Sequence, residues 1–105
     1  MNTQEFNLFI VDDNPLLVTR LRSYLDARFG SSLNISSFYT AQSILEEVDE
    51  DTNIVILDYD LGGKSGNDIL KSIKKINPKT EVIMLTSNEE ISAAIDSFQN
   101  GASDY

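Results

Sequence analysis

Strand-like and helix-like stretches alternate along the whole chain. Phe6 to Val11 is a short apolar run rich in β-formers that stops at Asp12-Asp13. Asn14-Pro15 then reads as a helix start, with Asn14 as cap and Pro15 at the first helical position. Leu17, Leu21, Leu25 and Phe29 recur at helical spacing, and Gly30 is a natural stop. Leu33, Ile35 and Phe38 mark a second, weaker strand, and Thr40 caps a short helix with Ala41, Ile44, Leu45 and Val48 on one face. The acidic stretch Asp49-Glu50-Asp51 is a surface connection. Ile54 to Leu57 is continuously apolar, as a strand covered on both faces should be, and it ends at Asp58.

Gly62, Gly63 and Gly66 predict a flexible loop next. Ser65 and Asp68 have the spacing of a capping box, with Asp in place of Glu or Gln. Ile69, Leu70, Ile73 and Ile76 form a helix face closed by Asn77-Pro78. Glu81 to Leu85 is a fourth strand ending at Thr86-Ser87. Asn88 is the predicted cap of a last helix, with Ile91, Ala94, Ile95 and Phe98 inside and Gly101 as its stop.

Four βα units in a row, with an apolar central strand, imply an α/β fold: a doubly wound parallel sheet with helices on both faces. The chain closes on Gly101-Ala102-Ser103-Asp104-Tyr105, where a fifth strand would begin. The expectation is a single domain over residues 1–105 that lacks its fifth βα unit. The fourth strand would then be an open edge, prone to pairing with another chain.

Composition narrows the chemistry. With 105 residues there is room for one domain and not for a two-domain enzyme. Eight basic and 17 acidic residues give a net charge of −9, which disfavours gripping a nucleic-acid backbone or an anionic membrane surface. No histidine or cysteine is present, which removes Ser-His-Asp and Cys-His machinery, thiolate or imidazole metal sites, and disulfides. No apolar run is long enough for a bilayer, and Met1 to Glu5 does not open a signal peptide, so the default location is cytoplasmic.

In open α/β sheets, function gathers at the carboxyl ends of the strands. The first strand delivers Asp12 and Asp13 there, the third Asp58 with Asp60 just beyond, and the fourth Thr86 and Ser87. If the first and third strands are neighbours, three or four carboxylates meet in one crevice. Two carboxylates about 5 Å apart repel by roughly 3 kcal/mol at an effective dielectric near 20, so the cluster calls for a cation or a raised pKa. All-oxygen donors select a hard ion, Mg²⁺ or else Mn²⁺. A carboxylate beside such an ion can attack phosphorus and form an acyl phosphate. Singly, each feature is ordinary: an Asp pair after a strand is usually a turn or cap, and Thr86-Ser87-Asn88 is capping chemistry. Their conjunction on one edge is what carries information.

The stretches FIVDDNPLL, IVILDYDLGGKSG, VIMLTS and GASDY, in that order, closely resemble the receiver domain of two-component response regulators. The resemblance implies a flavodoxin-like fold of strand order 2-1-3-4-5. It makes Asp58 the phosphoacceptor, Asp13 a direct Mg²⁺ ligand, Asp12 a ligand through water, and the backbone carbonyl of Asp60 a further ligand. It makes Thr86 the switch hydroxyl and Tyr105 the switch aromatic. The donor it implies is a histidine kinase or phosphotransfer protein, with any output domain outside the given sequence.

Two departures stand out. Leu61-Gly62 replaces the family's Met-Pro or similar pair, which should loosen that loop. The family's lysine would fall about three residues past Tyr105, and Lys64 is a poor substitute by position, so the 105-residue chain is expected to phosphorylate or switch badly.

Other readings compete. Asp58-Tyr59-Asp60 also resembles the Asp-x-Asp signature of haloacid-dehalogenase-type phosphatases, with Asp58 as nucleophile and Asp60 as acid, although Gly-Thr is missing after it and the motif follows the third strand. A pseudo-receiver that never uses phosphate is a further alternative. A flavin-binding module of the same fold would lack its phosphate loop, where Asp12-Asp13 would repel a phosphate.

Overall fold

A computed structural model describes residues 5–61, 63–85 and 87–101. Strands β1 (Phe6–Val11), β2 (Leu33–Phe38), β3 (Ile54–Leu57) and β6 (Glu81–Met84) form one parallel sheet in the order β2-β1-β3-β6. Counted along these four strands, the order is the expected 2-1-3-4. Between β3 and β6 lies a two-rung antiparallel ribbon, β4 (Asp60–Leu61) with β5 (Lys64–Ser65). The helices are α1 (Pro15–Phe29), α2 (Ala41–Glu47), α3 (Gly66–Ile76) and α4 (Asn88–Gly101). A single 3₁₀ turn, Gly30–Ser32, follows α1.

The caps explain where the helices start. The Asn14 side chain accepts from the Leu16 and Leu17 amides, and Pro15 occupies the first turn. Thr40 caps α2 through the Ser43 amide, and Ser65 caps α3 through the Asp68 amide. At α4 the expected cap is corrected by one residue. Ser87 Oγ accepts from the Glu90 amide, while the Glu90 carboxylate accepts from the Ser87 amide and hydroxyl. That is a reciprocal capping box, and it places Asn88 inside the helix.

Alternation along the strands divides the core between the two faces. Phe6, Leu8, Ile10, Leu33, Ile35, Ile54 and Ile56 point to the side covered by α1 and α4. Val11, Val55 and Leu57 point to the side covered by α2 and α3. β3 is buried at every position, as its unbroken apolar sequence requires. β6 sits at the sheet's edge and is only half-buried throughout. α4 is held against α1 by Tyr24 Oη with Ser92 Oγ (2.6 Å) and by Arg28 with Asp96 (2.9 Å). Phe98 meets Phe6 edge-on across the same layer.

At the rim where the strands begin, polar groups satisfy one another. Asn77 Nδ2 donates to the carbonyls of Asp49 (3.1 Å) and Thr52 (3.3 Å), and buried Thr80 donates its hydroxyl to the Thr52 carbonyl (2.9 Å). Lys74 closes this end by donating to the Pro78 and Thr80 carbonyls. The sheet is therefore clamped at the rim opposite its acidic residues.

Candidate functional site

Three main-chain hydrogen bonds level the carboxyl ends of the strands. The Asp12 amide donates to Phe38 O (3.1 Å), the Asp58 amide to Val11 O (3.0 Å) and the Leu85 amide to Leu57 O (2.8 Å). Parallel register continues one residue past each strand, so Asp12 and Asp58 leave adjacent strands at the same height. Because β1 and β3 are neighbours, their terminal acids share one crevice, as the sequence predicted.

The carboxylates of Asp12, Asp13 and Asp58 each offer an oxygen, and these oxygens all lie within 4.8 Å of one another. Asp12 is 3% exposed, Asp58 half-buried and Asp13 exposed. The Asp12 carboxylate accepts from the Asn14 amide (2.8 Å), so the residue that starts α1 also fixes the buried acid. Burial pushes the Asp12 carboxyl above its ordinary value; the Asn14 hydrogen bond opposes this, and the charges of Asp58 and Asp13 and contact with the Asp13 side chain add to it. Among the described residues, no ion pair with a basic side chain relieves the three acids.

The donor set is wholly oxygen and carries up to three negative charges, which fits a hard divalent cation. The same geometry leaves Asp58 reachable from solvent with its backbone pinned, as an attacking carboxylate needs.

Beyond Asp58 the chain folds into the β4–β5 ribbon where the glycines had suggested only a loop. Gly63 makes the turn with φ +89°, a conformation that side-chain-bearing residues rarely adopt. Gly66 is required for a different reason. Its amide donates to the Tyr59 carbonyl, and a Cβ there would lie 2.9 Å from Tyr59 Cα and 3.1 Å from Met84 Sδ. That close approach brings the start of α3 up to the segment just after Asp58, a constraint visible in the sequence only as one glycine among several.

Asp60 has its backbone in β4, opposite Ser65, and Lys64 has its backbone in β5. Thr86 and Tyr105, the expected switch pair, lie outside the described residues. Leu16 and Tyr59, each close in sequence to one of the acids, are 58% and 56% exposed. Sequence reasoning did not single out either, since each reads as an ordinary core residue.

Residues 8–105 match the response regulator receiver domain family. Among curated proteins, the chain is 32% identical over 98 residues to the DNA-binding transcriptional regulator NtrC of Klebsiella pneumoniae, covering 92% of this chain and 20% of that protein. It is 31% identical over 101 residues to the transcriptional regulatory protein MalR of Bacillus subtilis, covering 94% of this chain and 42% of that one. The chain thus spans about a fifth to two fifths of these relatives. Among solved structures, the RcsB response regulator of Salmonella typhimurium superposes with a TM-score of 0.80 at 18% identity, over 93% of this chain and 61% of that one. With its acids converging where β1 and β3 end, this chain belongs to the response regulator receiver domains: a phosphoacceptor module for phosphorylation-dependent signalling, and not a conventional enzyme.

Proposed function

We propose that Asp58 is the residue phosphorylated, and that the donor is the phosphohistidine of a histidine kinase or a phosphotransfer protein. The observation that carries this reading is the convergence of the Asp12, Asp13 and Asp58 carboxylates within 4.8 Å on one rim of the sheet. A carboxylate oxygen of Asp58 bonds to phosphorus as the P–N bond breaks, and the electron pair leaves with the imidazole. The product is an acyl phosphate: the single carboxylate charge is replaced by a phosphoryl group carrying up to about two, a net gain of about one negative charge at the rim.

Mg²⁺, with Mn²⁺ as substitute, suits the donor set. It would be held by Asp13 and Asp58 directly, by Asp12 through water and by the Asp60 carbonyl, and would supply neutralisation of the incoming charge. Asp12, buried and anchored to the Asn14 amide, keeps the pocket's shape while Asp13 and Asp58 face outward. Exposed Leu16 and Tyr59, each close in sequence to one of the acids, offer apolar area that favours a macromolecular donor. Thr86 and Tyr105 are assigned by resemblance to the hydroxyl and aromatic that respond to the phosphoryl group, and the cytoplasm is the compartment proposed. Among the described residues, no helix is long and apolar enough to cross a membrane.

The test is labelling of the full-length protein with acetyl phosphate and Mg²⁺, read by intact mass. One phosphoryl group per chain is expected on the protein and none on Asp58→Asn. Persistent labelling of that variant would move the acceptor elsewhere. Steady turnover of a small phosphomonoester would instead favour the phosphatase reading with Asp60 as acid.

A further inference from the structure

Two blocks of opposite charge end on the same rim of the sheet, the one where the strands begin. Residues 71–79 carry Lys71, Lys74, Lys75 and Lys79 and no acid, half of the eight cations in a chain of net charge −9. Residues 46–51 are Glu46, Glu47, Val48, Asp49, Glu50 and Asp51, acidic at every position but one. The first block is the end of α3 and its exit, the second the end of α2 and its exit. Both helices lie on one face, where Ile44 and Val48 share a core with Ile69 and Ile73. Asn77 Nδ2, donating to the Asp49 carbonyl, ties the two exits together.

The blocks adjoin without neutralising each other. Among the described residues, Lys71, Lys75 and Lys79 make no ion pair, and neither do Glu47, Glu50 and Asp51. All six are exposed. Lys74 is turned away, towards β6, onto the Pro78 and Thr80 carbonyls. Helical spacing then puts Ile76 across Ile73 from Lys74, on the α2 side of α3. The sequence places Ile76 with the buried stripe, yet it is 46% exposed. An uncovered isoleucine therefore stands where the lysines and the acids meet.

We infer that this surface binds a second copy of the chain about a two-fold axis, with Ile76 near the axis. Charge complementarity names the occupant. A purely acidic partner would satisfy the lysines and be repelled by Glu47, Glu50 and Asp51; a basic partner would meet the reverse. A second copy, turned by half a revolution, sets the lysine block of each chain on the acidic block of the other and satisfies both at once. The net charge of −9 opposes approach. At physiological salt, however, exposed charges more than about 8 Å apart are largely screened, whereas touching pairs are not. The surface lies on the rim opposite Asp12, Asp13 and Asp58, so pairing leaves those acids open. The inference does not depend on which residue is phosphorylated.

Sedimentation equilibrium of the full-length protein tests this with two charge-reversed variants, Lys75→Glu with Lys79→Glu and Glu47→Lys with Glu50→Lys. A reversible dimer is expected for the unaltered protein. Either variant alone should raise the dissociation constant roughly tenfold or more, because like charges then face each other. Mixing the two variants should restore dimers, since each reversed block again meets its opposite. Both forms of this chain stay net negative, so restored pairing is not bulk attraction. Ile76→Ser should weaken the mixed dimer as it weakens the unaltered one. If a reversed chain does not fold, Lys75→Gln with Lys79→Gln should weaken the dimer in its place, and an unchanged constant there overturns the surface. A protein that stays monomeric at every concentration reached overturns the inference, as does a dimer that persists in either reversed variant, or a mixture that stays apart. Binding of polyglutamate by a monomer, lost in the lysine variant, would overturn it in favour of an acidic partner.

Discussion

The amide of Asp58 donates to the carbonyl of Val11 at 3.0 Å. That one bond sets Asp58 level with the residue that follows Val11, the buried acid Asp12. Proximity of the acids is thus a consequence of strand register, and their mutual repulsion is imposed by the fold.

Mg²⁺ should stabilise the folded protein, since it binds the assembled carboxylates and not the unfolded chain. At a hundred times the dissociation constant the gain is about 2.7 kcal/mol, read as a rise in melting temperature. Asp13→Asn should remove most of that gain. An unchanged shift would take Asp13 out of the site.

Without metal, Asp12 makes stability depend on pH. Its folded-state pKa is raised above the ordinary 3.8, chiefly by burial, so the native state holds the proton more tightly than the unfolded chain. Stability should therefore fall as pH rises from 3.8 through the folded value, and the penalty then stays constant towards neutrality. Asp12→Asn should abolish this slope and stabilise the metal-free protein by on the order of 1 kcal/mol at pH 7. Urea titrations in the presence of a chelator would check both, and a steeper slope in the variant would contradict the assignment.

Gly66→Ala should cost about 1–3 kcal/mol, because the new methyl meets Tyr59 Cα at 2.9 Å and backbone must move. The shift falls on the residue after Asp58, so labelling by acetyl phosphate should slow as well. Gly63→Ala is the control: open space surrounds it, and only its φ of +89° opposes the change. It should cost about 1 kcal/mol and leave labelling nearly intact.

Asn77→Ala should destabilise by about 1–3 kcal/mol, because the buried Thr52 carbonyl and the part-buried bond to the Asp49 carbonyl lose a donor. Its distance from the acids, at the other end of the strands, predicts an unaltered rate of phosphorylation. A change in that rate would show that the two rims communicate.

The four long strands and the acids at the strand ends were legible because each rests on local pattern, whereas the sheet order came from the family resemblance. Apolar runs stop at Asp12 and Asp58, and Asn14-Pro15 has one reading. The side chosen by α4 was not legible, since the stripe Ile91, Ile95, Phe98 declares an apolar face without saying which layer it meets. The β4–β5 ribbon was hidden because two rungs carry no periodicity. Ser87 and Asn88 are both good caps, and only the reciprocal bond with Glu90 decides between them. The need for Gly66 comes from Tyr59 and Met84, seven and eighteen residues away in the chain, and such meetings leave no local trace.

The clamp formed by Asn77, Thr80 and Lys74 has a dynamic consequence. One margin of the sheet is bolted by matched donors and acceptors, and the other holds crowded anions that push apart. Spontaneous breathing of the native state should start among the anions and die out towards the bolts, giving a gradient of amide exchange along every strand. An incoming reaction partner thus meets the softest margin of the molecule, while the fold is anchored at the opposite one.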